Sequence, residues 1–237
     1  MIKFFNVKIK RLGPIILTLT IFGLGVTLAY QKLKPTLKER KRLPVYNPVD
    51  INPALVDPSV QNVYKQHRVG DFKLIDQMGN TVTPENFKGK IYVTDFFFTT
   101  YGTICPKMTK QMVRVYDEFK DNPEVMILSH TVTPEIDSVE VLRAYAENLG
   151  VKDDSKWIFV TGDKKQIYNL ARKVYFAATT EGDGGANDFV HTENFVLVDK
   201  EKRLRGFYDG TSKDDVDRLI DDIYTLLDEY KTENNEE

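Results

Sequence analysis

The chain has 237 residues, a formal net charge of -2, 41% hydrophobic residues and 29% charged residues. That balance suits a folded domain and excludes a disordered tail or a collagen-like fibre. The single cysteine, Cys105, excludes an intramolecular disulfide and an all-cysteine zinc site. The total hides a split: it is -2 and residues 1–42 carry +9, so the remainder carries -11. An acidic body argues against a nucleic-acid partner, because phosphate neutralisation needs basic charge on the fold itself.

Residues 1–11 form a short basic segment. Residues 12–30 hold no charge, and nineteen residues at helical rise span about 28 Å, close to the hydrocarbon thickness of a bilayer. This run reads as a membrane anchor or a signal sequence, and its length favours an uncleaved anchor. Lys3, Lys8, Lys10 and Arg11 precede it, and Lys32, Lys34, Lys38, Arg40, Lys41 and Arg42 follow it, so the loop-charge rule alone does not favour translocation of the C-terminal part. Residues 31–66 contain Pro35, Pro44, Pro48, Pro53 and Pro58, which disfavour a long helix and read as a semi-extended linker.

From residue 67 strands alternate with helices. A short strand is predicted over 72–76 with a turn at Met78-Gly79-Asn80, and a buried strand over 91–98. A helix follows from Pro106 to about Lys120, with Met108, Met112, Val115 and Phe119 on one stripe. Next come a strand over 125–130, a helix over 139–149 ended by Gly150, a strand over 157–160 and a helix over 164–174. Residues 194–199 and 203–208 read as a hairpin. The last helix begins at Ser212, an N-cap, and carries Val216, Leu219, Ile220, Ile223, Leu226, Leu227 and Tyr230 at helical spacing. Residues 212–237 hold ten Asp/Glu against three Lys/Arg, read as a solvated helix face that ends in an acidic tail over 231–237. This order predicts an α/β sandwich with a mixed central β-sheet, the order of the thioredoxin-like fold, over residues 67–230.

Two side chains carry candidate chemistry. Cys105 directly precedes Pro106 at the start of a helix, where free N–H groups and the helix dipole favour a thiolate. His191 follows the glycine-rich stretch 181–188. A neutral imidazole beside a thiolate makes a two-ligand site for Cu(I). His67 and His130 are assigned no role.

Three separated stretches resemble the SCO/SenC family: Thr94-Asp95-Phe96-Phe97-Phe98-Thr99-Thr100 with Thr103-Ile104-Cys105-Pro106-Lys107-Met108; Ser129-His130-Thr131-Val132-Thr133-Pro134-Glu135-Ile136-Asp137-Ser138; and the run from His191 to Lys200. The resemblance implies a single-pass, membrane-tethered, thioredoxin-like protein on the extracytoplasmic (periplasmic) side. It implies delivery of copper to cytochrome c oxidase or thiol–disulfide reduction for it, with an oxidase subunit or another copper chaperone as partner. The family's site is a Cys-x-x-x-Cys-Pro pair and a distant histidine. Cys105 matches the second cysteine and His191 the histidine. Tyr101 stands at the first cysteine position and Gly102 at the proline that usually follows. Without that cysteine no internal disulfide can cycle. Cu(I) binding becomes two-ligand, with Met108 a candidate thioether ligand.

The expectation is therefore a copper-binding accessory factor in oxidase assembly with a degenerate one-cysteine site, more a carrier than an enzyme. One alternative is a binding or scaffold protein that kept the fold. The other is a one-cysteine thiol oxidoreductase or peroxidase, whose threonine or serine three residues before the cysteine is here Gly102.

Overall fold

The computed structural model describes residues 19–20, 22–25, 27–28, 42–56, 62, 66–100, 105–151, 155–179, 182–185 and 187–236. It forms two units, Met1–Lys41 and Arg42–Glu237. In the first, the described residues are helical and expose Leu19, Phe22, Leu24 and Leu28. The anchor read over 12–30 lies mostly outside the described residues. Among those described, no helix is long and apolar enough to cross a membrane.

The second unit is built on a seven-stranded sheet of order β2-β1-β5-β4-β3-β6-β7. The strands are β1 (Leu74–Asp76), β2 (Thr81–Val82), β3 (Ile91–Phe97), β4 (Val125–Thr131), β5 (Trp157–Thr161), β6 (Asn194–Val198) and β7 (Leu204–Asp209). β3, β4 and β5 run parallel, whereas β1, β2, β6 and β7 add antiparallel neighbours, so the sheet is mixed. β3 and β4 are buried at every position, which is why their apolar residues do not alternate with solvent-facing polar ones, and the polar side chains they carry, such as Asp95 and His130, are buried as well.

Helices α1 (Cys105–Phe119), α2 (Val139–Asn148) and α4 (Lys213–Glu236) contribute to one core layer. The predicted stripes of α1 and α4 bury there against Ile91, Val93 and Phe97 of β3. On the other face Tyr92 and Phe96 meet α3 (Lys164–Asn169) and the π-turn Leu170–Val174 that continues it. Side-chain caps start three helices: Ser138 for α2, Asp163 for α3 and Ser212 for α4.

Two segments differ from their sequence reading. The proline-rich segment packs onto the domain from residue 42 to 56, with Leu43, Ile51 and Val56 in the core. Pro48 and Pro53 each open a short 3-10 turn, where a missing N–H costs nothing. The acidic end continues α4 as far as Glu236.

The arriving chain is held by Arg205. This buried guanidinium donates to the carbonyls of Pro44 (2.9 Å) and Leu43 (2.7 Å), to Asp199 (3.0 Å) and to Glu229 (2.8 Å). These contacts lie near the β6–β7 turn, at the edge of the sheet where β3 begins.

Beneath the opposite edge, two titratable groups sit inside the layers. Asp95 accepts from Ser129 Oγ at 2.5 Å, which in turn accepts from Trp157 Nε1 at 2.8 Å. Burial pushes the Asp95 carboxyl up to about 7. On the other face His130 is fully buried, with Phe96 stacked on it at 4.7 Å. Burial pushes its imidazole down to about 3. Its Nδ1 lies 3.1 Å from Thr94 Oγ1, whose own proton goes to the Leu128 carbonyl, so Nδ1 is the donor and Nε2 carries the lone pair.

The two groups bias stability in opposite directions. Folded Asp95 keeps a proton that the unfolded chain releases above pH ~4, so its contribution falls as pH rises toward about 7. Folded His130 refuses a proton that the unfolded chain takes up below pH ~6.5, so its contribution rises with pH from about 3. Urea denaturation across pH 4–7 checks this. Asp95→Asn is expected to gain stability over the unsubstituted chain as pH rises, by up to roughly 4 kcal/mol. For His130→Phe the gain is expected at the low end of the range instead.

Candidate functional site

β3 and β4 are parallel and β6 is antiparallel to β3, so the loop leaving β3, the loop leaving β4 and the loop arriving at β6 meet at one edge. The ladder pairs Thr94 with Val196. Thr99 and His191 each lie five residues beyond that pair, on the loop leaving β3 and the loop arriving at β6. The rings of Phe98 and Phe189 pack edge-on at 5.4 Å and tie the two loops directly.

Cys105 is the first residue of α1, a fifteen-residue helix, at the dipole end that favours a thiolate. Residues 101–104, including Tyr101, and the Cys105 side chain lie outside the described residues. Of the three histidines, His191 is exposed at the sheet edge. His130 is enclosed in the core, and His67 places Nε2 2.8 Å from the Val174 carbonyl and its ring 4.8 Å from Phe176. Met108 is 2% exposed and packs in the core with the rest of the α1 stripe. Among the described residues no group of three or more His, Cys, Asp or Glu side chains is arranged to hold a metal ion.

Sequence reasoning missed the groups that fix these loops. Asp137, fully buried at the end of the β4–α2 loop, accepts hydrogen bonds from the hydroxyls of Thr99, Thr131 and Thr133. It joins the root of the Cys105 loop to β4. Tyr168 Oη reaches the carbonyls of Val132 (2.8 Å) and Asp188 (3.3 Å), which links the β4 loop to the His191 loop. Arg172 forms a two-pronged ion pair with Asp188, at 2.6 and 2.7 Å, with both side chains under 9% exposed. The guanidinium holds the Asp188 carboxyl well below the usual carboxylate range, at about 2. None of these pairs leaves a periodic signal. The clue in the sequence is polar residues set where neighbouring segments are apolar, as in Thr131-Val132-Thr133 and Asp188-Phe189-Val190.

The outer face of the edge is apolar beside α1. A cleft of about 340 Å³ is lined by Phe98, Thr99, Pro106, Thr109, Val113 and Tyr145, among others. Phe189, 49% exposed, packs on Phe98 beside this cleft.

The mixed sheet with a helix starting at the cysteine, and helices on both faces, defines a thioredoxin-like α/β protein. Residues 60–228 match the SCO1/SenC family profile, and the chain belongs to that family. It is 32% identical over 159 residues to the SCO1 protein homolog of Bacillus subtilis, covering 66% of this chain and 81% of that protein. Among solved structures it is similar to BsSco, described as a Sco-family cytochrome c oxidase assembly protein with a disulfide switch. That match has a TM-score of 0.58 and 31% identity, over 68% of this chain and 93% of the other. It is also similar to ScoI of Arabidopsis thaliana with copper bound, at a TM-score of 0.54 and 27% identity, over 68% and 98% of the two chains.

Replacing Asp137 with Ala removes the acceptor that Thr99, Thr131 and Thr133 share and leaves the buried Thr131 hydroxyl without its acceptor. The expected cost is about 3 kcal/mol in urea denaturation, with faster hydrogen exchange at Thr99 and Thr100. Asp137→Asn, which keeps one acceptor oxygen, should fall between.

Proposed function

We propose that this protein is a membrane-tethered copper-binding accessory factor in cytochrome c oxidase assembly, with Cys105 and His191 as its Cu(I) ligands. The convergence of the β3 and β6 loops at one sheet edge supports the reading: Phe98 packs on Phe189, two residues before an exposed His191, and Cys105 begins the helix that follows β3. A soft thiolate with a neutral imidazole suits Cu(I) over harder divalent ions. Membership of the SCO1/SenC family and the copper held by a relative of the same fold support it. The uncharged run over 12–30 supports the tether, and family membership, not the flanking charges, supports a domain outside the cytoplasm.

Copper is cargo in this reading. Tyr101 stands at the family's first cysteine, so two ligands hold the ion and open positions remain for a client's ligands. Low coordination favours release to a site with more ligands, such as one on an oxidase subunit or on another copper carrier. Met108, buried with its stripe, stays a packing residue. One thiol supports no internal disulfide, so a two-electron redox cycle within the chain does not operate.

The lone cysteine favours one further reading, a scaffold that kept the fold and its partners without the metal. A Cu(I) competition titration on the full chain separates the two. The copper reading expects one ion per chain and a loss of affinity beyond about tenfold for Cys105→Ala and for His191→Ala. Unchanged affinity in both variants supports the scaffold.

The missing ligand can be restored. Tyr101→Cys combined with Gly102→Pro is expected to raise Cu(I) affinity by well over about tenfold in the same titration, because a second thiolate completes the shell.

A further inference from the structure

The stretch that carries His191 is fixed from both sides although the imidazole itself is exposed. On the N-terminal side, Asp188 is enclosed. Arg172 donates to both carboxylate oxygens at 2.6 and 2.7 Å, and the Gly184 amide donates to one of them at 2.6 Å. A Cβ on Gly182, which sits at φ +105°, would come within 2.3 Å of the same carboxylate. The glycine-rich loop therefore wraps closely around one acidic side chain. On the C-terminal side, Thr192 Oγ1 and Asn194 Nδ2 both donate to the carbonyl of Ala177, the second at 2.8 Å. Between these ties Val190 is buried.

Both ties lead back to one short segment. Arg172 lies in the π-turn that extends α3, 6% exposed, with its guanidinium 5.4 Å from the ring of Tyr168 one turn earlier. Its Nε donates to the Thr179 carbonyl at 3.0 Å. Phe176 adopts φ 49°, a left-handed backbone that a bulky residue holds only when its surroundings impose it. That turn brings Ala177 and Thr179 round beside Thr192 and Arg172. The widened helical turn at Leu170–Val174 and the left-handed Phe176 lie two residues apart in this segment.

We propose that Arg172, acting through Asp188, is the positioning residue for His191, holding the backbone that presents the imidazole to the metal. The fork geometry matters as much as the charge, since a planar guanidinium spans both carboxylate oxygens and closes on Thr179 with its third nitrogen. The inference rests on the reading of His191 as a copper ligand, and it adds the device that orders it. Groups that orient a metal ligand without touching the metal usually affect affinity by about ten- to a hundredfold.

The test uses the full chain in detergent micelles, with Arg172→Lys and Asp188→Asn alone and each combined with His191→Ala. Two quantities are measured: amide hydrogen exchange by mass spectrometry, and Cu(I) affinity by competition. In both single variants, exchange over residues 189–192 is expected to speed up by about tenfold or more while β3 and β4 keep their protection. Cu(I) affinity should fall by about tenfold. In the His191→Ala background neither change should lower affinity further. Unchanged exchange over 189–192 overturns the inference, and so does an equal loss of affinity with and without His191. Should Arg172→Lys loosen the whole sheet, Asp188→Asn is read by the same criteria. If His191→Ala alone binds Cu(I) like the unsubstituted chain, the copper reading fails, and exchange over 189–192 decides by itself whether Arg172 orders the stretch.

Discussion

The antiparallel ladder between β3 and β6 is the constraint on which the site depends. Its two strands come from segments about a hundred residues apart, and their pairing, with the Phe98–Phe189 contact, brings the loop leaving β3 beside the loop arriving at β6. The register has little freedom. Phe195 and Leu197 bury in the layer of α1, α2 and α4, while Val196 and Val198 bury on the face of α3. A slip of one residue would move every side chain to the wrong face, and both faces are packed. The burial of β6 therefore fixes the register of the strand that begins three residues after His191, while His191 itself is exposed.

The opposite edge has a different task. The chain reaches the domain at Leu43, whose amide donates to Glu229 at 2.6 Å while Arg205 gathers the Leu43 and Pro44 carbonyls. The seven residues of β3 separate that point from the loop of Cys105, about 23 Å of strand. The fold is thus polar: the chain comes in at one end of the sheet and the exposed imidazole sits at the other. Arg205 is buried with Asp199 and Glu229 as partners, so the charge in this junction is matched rather than left alone in the core.

Much of the fold could be read from the residues, because it rests on periodic burial. Met108, Met112, Val115 and Phe119 on α1 and Val216 to Tyr230 on α4 repeat at helical spacing, and β3 and β4 each open on an apolar run and are buried at every position. What stayed hidden lacks a period. β2 is two residues long and owes its pairing to β1. The prolines of residues 42–56 suggest an extended linker, yet Pro48 and Pro53 open short turns that pack Ile51 and Val56 on the domain. Cys105 and His191 were visible as candidates through local chemistry, a thiol before a helix-starting proline and a histidine after a glycine-rich loop. Asp137 and the Arg172–Asp188 pair were not, since their meaning lies in partners that only the folded chain supplies.

The central claim is that one sulfur and one imidazole, Cys105 and His191, hold Cu(I) at this edge. X-ray absorption at the copper edge, on the full chain loaded with one equivalent of Cu(I), addresses it directly. The account predicts scattering from a sulfur together with an imidazole nitrogen, the imidazole signature disappearing in His191→Ala and the sulfur in Cys105→Ala. An imidazole signature that survives His191→Ala, or a shell without sulfur, would contradict it.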